Sequence, residues 1–256
     1  TDTLLVAGTT GESPTLSDEE KLELFKACKS IAGTRAKIMA GTGSNSTLHS
    51  IELSKKAEKI GVDSLLLVSP YYNKPTQEGL YQHFKSIADA VDIPVVPYNV
   101  PGRTAVTIEP ETLARLSQIK NVVAVKDAGG NLDKTSKTRA LAPELTVYSG
   151  DDSLTLPMLA LGAKGVISVA SHIVGSELQE MIKSFEKGDT KKAEQIHLKL
   201  FNIFKTLFVI TSPIPVKAAL NLIGVPVGGL RPPLGLADDN TTAALEKVLK
   251  DLRKLA

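Results

Sequence analysis

The chain holds no tryptophan, a single cysteine, three methionines and only 4% aromatic residues among its 256 positions. One cysteine, Cys28, excludes an intrachain disulfide; in its helix-like surroundings it reads as a small buried hydrophobe in a protein of the reducing cytoplasm. No apolar run approaches the length of a membrane span, so no bilayer crossing is expected. The formal net charge is only +2, with acids and bases interspersed. Without a basic stripe or interleaved aromatics, nucleic acid is excluded as a partner in favour of small molecules. His49, His83, His172 and His197 lack metal-ligand spacing, and Asp151-Asp152 without histidine partners reads as turn and helix-cap chemistry. No metal is expected. Thr1-Asp2-Thr3 carries no initiator methionine, basic region or signal-like segment, and the start reads as a cut.

What the chain does have is a repeat. Short β-branched, apolar runs recur at 4–8 (LLVAG), 37–41 (KIMAG), 64–69 (SLLLVS), 95–99 (VVPYN), 122–127 (VVAVKD), 145–150 (LTVYSG) and 165–170 (GVISVA). Each leads into a turn and then a helix-period segment, the alternation of βαβ units on a parallel sheet. Helix signals sit between them: Ser17 with Glu20 spells a capping box, Pro110 suits a first turn, and Gly61 and Gly188 suit helix stops. After the seventh run only helices are expected, near 175–187, 190–210, 214–223 and 240–255. No GxGxxG fingerprint follows the first run, and GTGSNS at 41–46 has too few glycines for one. The regular repeat without a dinucleotide fingerprint points to a (β/α)8 TIM barrel rather than an open doubly wound sheet. Since eight strands close such a barrel and seven are legible, the first βα unit is expected to be absent from this chain. The expected boundaries are 1–189 for the barrel and 190–256 for a C-terminal helical extension.

In a βα barrel, the carboxyl ends of the strands carry the chemistry. Those ends read Gly8-Thr9-Thr10-Gly11-Glu12, Pro70-Tyr71-Tyr72, Tyr98-Asn99-Val100-Pro101-Gly102-Arg103, Lys126, Gly150-Asp151-Asp152 and Ile167-Ser168. Strand alternation groups Val122, Ala124 and Lys126 on one face, with Val96 and Tyr98 on the matching face of the preceding run. A lone strand-end lysine usually snorkels to water. Among these neighbours a dry amine is the sharper reading, because lowering a pKa of about 10.4 toward about 7 needs roughly 4–5 kcal/mol of desolvation or positive-charge repulsion. A neutral amine facing a carbonyl makes an imine. Tyr98 is either a core aromatic or the phenol that moves protons during that chemistry; Thr9 and Thr10 either cap the turn after LLVAG or extend the relay. Arg103 at the rim suits a carboxylate held in two-point contact.

Read together, GTTGES at 8–13, SPYYNKPTQEGLYQHF at 69–84, YNVPGRT at 98–104, VKDAGGN at 125–131, SGDD at 149–152, GVISV at 165–169 and SPIPVKAAL at 212–220 carry a resemblance. They resemble the pyruvate-dependent class I aldolases of the dihydrodipicolinate synthase and N-acetylneuraminate lyase family, over essentially the whole chain. The resemblance implies an imine between Lys126 and pyruvate with no external cofactor, and a relay of Tyr98, Thr9 and Tyr72. Tyr72 would reach in from the neighbouring subunit of a homo-oligomer, a dimer of dimers. Thr10 would hold the pyruvate carboxylate, Arg103 that of aspartate β-semialdehyde, and Gly150 and Ile167 would contribute backbone. The implied reaction is condensation of those two substrates on the route to lysine. Arg103 and the second threonine of GTTGE favour this branch over sialate or keto-deoxy-sugar-acid cleavage; a catalytically impaired fragment is the remaining alternative. VKDAGG departs mildly from the family, which commonly has glutamate at position 127. Pro14, Asp18, Lys21 and His49 depart from the lysine-binding cleft of feedback-inhibited members, so weak lysine inhibition is expected.

Overall fold

The computed structural model describes residues 1–255. Six of the apolar runs become strands among those residues: β1 (Thr3–Val6), β2 (Lys37–Gly41), β3 (Ser64–Val68), β4 (Val95–Asn99), β5 (Ala124–Asp127) and β6 (Thr146–Ser149). All pair in parallel and in sequence order, curled into a half-barrel. Parallel neighbours need crossover connections. These are α1 (Asp18–Ala32), α2 (Thr47–Ile60), α3 (Gln77–Ala88), the short α4 (Pro101–Thr104) with α5 (Pro110–Leu116), and α6 (Leu132–Leu141); α7 (Thr155–Ala160) follows β6. The expected helix signals hold. Ser17 Oγ accepts from the Glu20 amide at 3.2 Å while Glu20 accepts from the Ser17 amide at 2.9 Å. Pro110 opens α5, and Gly61 ends α2 in the left-handed region at φ 87°.

Strand alternation divides the apolar residues into two layers, which is why these strands read as continuous hydrophobic runs. Ile38, Ala40, Leu65, Leu67, Val95, Val125 and Val147 face outward and pack on Phe25, Ala57, Leu80, Phe84, Ile87, Leu113 and Met158 of the helices. Met39, Leu66, Val96, Tyr98 and Ala124 face inward and form a second cluster. Cys28 is only half-buried at the margin of the outer core, less enclosed than its composition suggested.

Two expectations need correction. The seventh run is not a strand: it makes one isolated parallel bridge, Val166 to Ser149, with Ser149 N donating to Gly165 O and Ile167 N to Ser149 O, both at 2.9 Å. β6 ends at Ser149, whose hydroxyl turns onto Asp151 O, so the run finds no longer ladder. The fifth run starts pairing later than its sequence suggests. Val122 forms an isolated bridge with Val95 and packs in the outer core, and Val123 is exposed, so the face shared with Lys126 begins at Ala124.

These strands and helices belong to one compact unit, residues 2–8 and 16–167. The second unit comprises Thr1, Thr9–Thr15 and the chain from Ser168 onward. It contains α8 (Ser171–Glu186), α9 (Thr190–Thr206), α10 (Ile214–Leu222) and α11 (Asp239–Asp251), packed through Leu178, Met181, Leu200, Ile203, Phe204, Ala219, Leu245 and Leu249. α8 is kinked at Val174 (φ −126°, ψ 35°), just before the start expected near 175, and Gly188 follows it at φ 83° as a stop. Within this unit Glu12, itself at φ 56°, accepts from Lys217 Nζ at 2.6 Å and from the Arg231 amide at 2.9 Å. This pair is largely buried. Burial opposes ionisation of Glu12, but Lys217 and the Arg231 amide outweigh it and hold the carboxyl below its ordinary value.

Two outcomes follow from packing and charge. A Cβ on Gly43 would lie 2.4 Å from the Val68 amide nitrogen, so Gly43→Ala should lower stability by about 1–3 kcal/mol in urea unfolding. A carboxyl with a depressed folded pKa stabilises above its unfolded value and loses that contribution as pH falls through the folded one. Glu12→Gln should therefore cost about 1–2 kcal/mol at pH 7, with the gap to wild type closing in acid melts below about pH 4.

Candidate active site

One rung crosses the sheet at the carboxyl ends of its middle strands: Val68 pairs with Tyr98, Tyr98 with Lys126, and Lys126 with Tyr148. Side chains on one rung share a face, so Tyr98 and Lys126 project together above the inner cluster of Met39, Leu66, Val96 and Ala124. The lysine is 8% exposed. Its amine lies 4.2 Å from the centroid of the Tyr98 ring, over the ring face. A Cβ at Gly150 would come within 3.1 Å of Lys126 Cε and 2.7 Å of Ala128 Cβ, so glycine there leaves the lysine stem its path.

Desolvation pushes the Lys126 pKa down to about 8, opposed by the Asp152 carboxylate and assisted by the Arg103 guanidinium. At pH 7 about one amine in ten is then uncharged, against fewer than about one in a thousand at the ordinary value. Burial pushes Tyr98 up to about 12, with Arg103 pulling it down and Asp151 pushing it further up. A phenol that stays protonated at neutral pH donates a hydrogen bond or passes a proton on; it is not a standing base. Over its ring face the protonated amine gains cation–π attraction, which restrains how far desolvation discharges it. Nucleophilic amine and protic phenol together equip the site for carbonyl addition and dehydration.

The other anticipated residues fall as follows. Arg103 is exposed on α4, directly after β4, and its charge reaches both Lys126 and Tyr98. Gly150 follows β6 beside the lysine stem, and Ile167 packs against the cluster containing Tyr98. Thr9 and Thr10 occupy the turn after β1, within the second unit, where Thr9 O accepts from the Glu12 amide at 3.1 Å. Tyr72 stands apart, 91% exposed and held at φ 72°, a conformation that costs a non-glycine residue energy. Asp151 caps the short 3-10 turn after β6 by accepting from the Ser153 amide at 2.9 Å. Asp152 was missed as part of the site. It is 1% exposed and its charge bears on Lys126; its place at a strand's carboxyl end was the available signal. Among the described residues no three His, Cys, Asp or Glu side chains converge as metal ligands, and no helix is long and apolar enough to cross a membrane. His83 is buried against Thr47 Oγ1 at 2.9 Å, and burial pushes its pKa down to about 4.

These features define a parallel α/β protein with a buried, readily discharged amine at the end of a central strand. Comparison with known proteins narrows that class. The profile described as the Dihydrodipicolinate synthetase family matches residues 1–252, and the chain belongs to that family. It is 55% identical to the 4-hydroxy-tetrahydrodipicolinate synthase of Acaryochloris marina, with all of this chain and 87% of that one aligned. The crystal structure of a dihydrodipicolinate synthase from Bacillus anthracis superposes with a TM-score of 0.95 at 50% identity, covering 98% of this chain and 86% of that one. A dihydrodipicolinate synthase from Acinetobacter baumannii complexed with pyruvate gives 0.97 at 42%, covering 100% and 88%.

The lysine can be titrated directly. Reductive methylation with formaldehyde and borohydride should label Lys126 with a pH midpoint near 8, while exposed lysines follow about 10.4, read peptide by peptide in the mass spectrum. A Lys126 midpoint matching the exposed lysines would contradict its desolvation.

Proposed function

We propose that this chain is a 4-hydroxy-tetrahydrodipicolinate synthase, a class I aldolase-type lyase that condenses pyruvate with aspartate β-semialdehyde in lysine biosynthesis. The observation that carries the reading is the buried Lys126 amine, its pKa pushed down to about 8, over the Tyr98 ring in a chain of this family. The names of its relatives favour this acceptor over sialate or keto-deoxy-sugar-acid cleavage.

The neutral Lys126 amine adds to the pyruvate ketone, and the carbinolamine loses water to give an imine. Loss of a methyl proton gives the enamine, whose carbon attacks the aldehyde and forms the new C–C bond. Cyclisation through the amino group of the semialdehyde then expels Lys126 as free amine. No external cofactor enters these steps. Tyr98 passes protons as the carbinolamine forms and collapses, and its phenol, protonated at neutral pH, suits donation to the leaving hydroxyl. Thr9 extends that relay, and Thr10 holds the pyruvate carboxylate. Arg103, whose charge reaches the lysine, receives the carboxylate of the second substrate, while Gly150 and Ile167 offer backbone beside the lysine.

Tyr72 is the relay member supplied to a neighbouring subunit in a dimer of dimers; its near-complete exposure and left-handed backbone suit a side chain presented outward. The fold this reading implies is the (β/α)8 barrel, to which β1 to β6 and the Val166 bridge contribute, with a helical C-terminal region from 190 onward whose final position, 256, lies outside the described residues. The reaction suits a cytoplasmic enzyme.

Incubation with pyruvate followed by borohydride should add mass to the peptide carrying Lys126 and to no other. Turnover with aspartate β-semialdehyde should vanish in Lys126→Ala and fall about a hundredfold or more in Tyr98→Phe. Failure of the native chain to trap millimolar pyruvate would defeat the reading.

A further inference from the structure

Behind the rung that carries Tyr98 and Lys126 lies a cluster that the imine chemistry does not touch. β4 and β5 share only two paired positions, Tyr98 with Lys126 and Asn99 with Asp127, whereas β3 with β4 and β5 with β6 each share four. Upstream, β4 meets this run again only at the isolated Val95–Val122 bridge, one residue out of register with the ladder, where the Val123 amide donates to Val95 O at 3.3 Å. The backbone ladder is therefore thinnest where the two reactive side chains must stay aligned. Side chains take over on the last rung. Asn99 Nδ2 donates to Asp127 Oδ1 at 2.9 Å across the two strands. The same oxygen accepts from the Gly129 amide at 2.9 Å, and Oδ2 accepts from Thr135 Oγ1 of α6 at 3.0 Å. Asn99 Oδ1 in turn accepts from the Ile108 amide at 3.0 Å. Two backbone bonds close the cluster: the Ala128 amide to Asn99 O at 2.8 Å and the Gly150 amide to Asp127 O at 2.7 Å.

Adjacent residues of a strand point to opposite faces, so Asp127 and Asn99 act from the far side of the sheet and meet no substrate. A carboxylate fits this place because its two oxygens accept three hydrogen bonds at once, joining β4, β5, the turn after β5 and α6. Gly129 shows how tight the arrangement is: a Cβ there would lie 3.0 Å from both Asn99 Nδ2 and Asp127 Oδ1.

We propose that Asp127 is a positioning residue, clamped to Asn99 and Thr135 behind the sheet, that holds Lys126 in register with Tyr98 and out of water. The inference rests on the imine reading of Lys126. Loosening the clamp lets the end of β5 move away from β4, which admits water to the amine and parts it from the ring of Tyr98. Asp152 and Arg103, the charged groups that bear on Lys126, stay in place in such variants, so a change in the lysine's titration reports its alignment and hydration.

The test follows pyruvate trapping by borohydride across pH 6 to 10 at a temperature where circular dichroism shows each variant folded. Asp127→Ala removes the clamp. Gly129→Ala wedges it without deleting a polar group. Both should slow trapping by about tenfold at pH 8 and move its midpoint upward toward the ordinary lysine value of about 10.4. Asp127→Asn keeps an oxygen for Asn99 and the Gly129 amide and should retain the wild-type midpoint. A purely structural role would lower the melting temperature and leave the midpoint in place; a folded Asp127→Ala or Gly129→Ala with wild-type rate and midpoint overturns the proposal. A wild-type chain that traps no pyruvate sinks the imine reading itself, an outcome separate from wild-type trapping that the variants leave unchanged.

Discussion

Keeping one ammonium group away from water is the constraint on which the site depends. Lysine is the side chain that resists this most, and its discharge to a pKa of about 8 needs apolar neighbours below it and little room for solvent beside it. The inner cluster supplies the first and the bare backbone of Gly150 the second. The compromise is visible in the opposing groups. Asp152 and the Tyr98 ring stabilise the charged form, while burial and Arg103 destabilise it, so the amine is left balanced within reach of neutral pH. A fully discharged lysine would lose the attraction that holds it over the phenol; a fully charged one would not react.

That balance is built on the sheet. Parallel strands in sequence order place every carboxyl end on one rim, so the chemistry of β4 and β5 meets without any residue being adjacent in the chain. The helices on the outer face supply the bulk of the buried apolar surface, and the rim is left free of that duty. The family motifs also carry backbone strain: Tyr72 and Glu12, each within one of them, occupy left-handed conformations. In the second unit the ion pair of Glu12 with Lys217 brings α10 onto the loop that bears Thr9 and Thr10, joining residues 205 positions apart.

Much of this was legible in the sequence, for local reasons. Strand alternation in VVPYN put Val96 and Tyr98 on one face, and the structure keeps them there. Ser17 with Glu20, Pro110, Gly61 and Gly188 mark helix ends because capping and left-handed stops depend on a few neighbouring residues. The motifs from GTTGE to VKDAGG named the family, which the comparisons bear out. The errors came where pairing depends on a partner. GVISVA is as strand-like as any run, yet β6 ends too early to pair with it beyond Val166. VVAVKD alternates cleanly on paper, yet Val122 joins the outer core.

By itself, then, the sequence determined the repeat of strand and helix, the place of a lysine at the apolar end of a central strand and the residues that end the helices, since each follows from spacing and side-chain type. Only the tertiary structure decided that Asp152 is buried near that lysine, that Asp127 bonds to Asn99, and that the amine meets the face of the Tyr98 ring rather than its hydroxyl. Such facts depend on the register between strand residues more than twenty positions apart and on how far each group is withdrawn from water. Register and burial are properties of packed surfaces, and no local run of residues contains them.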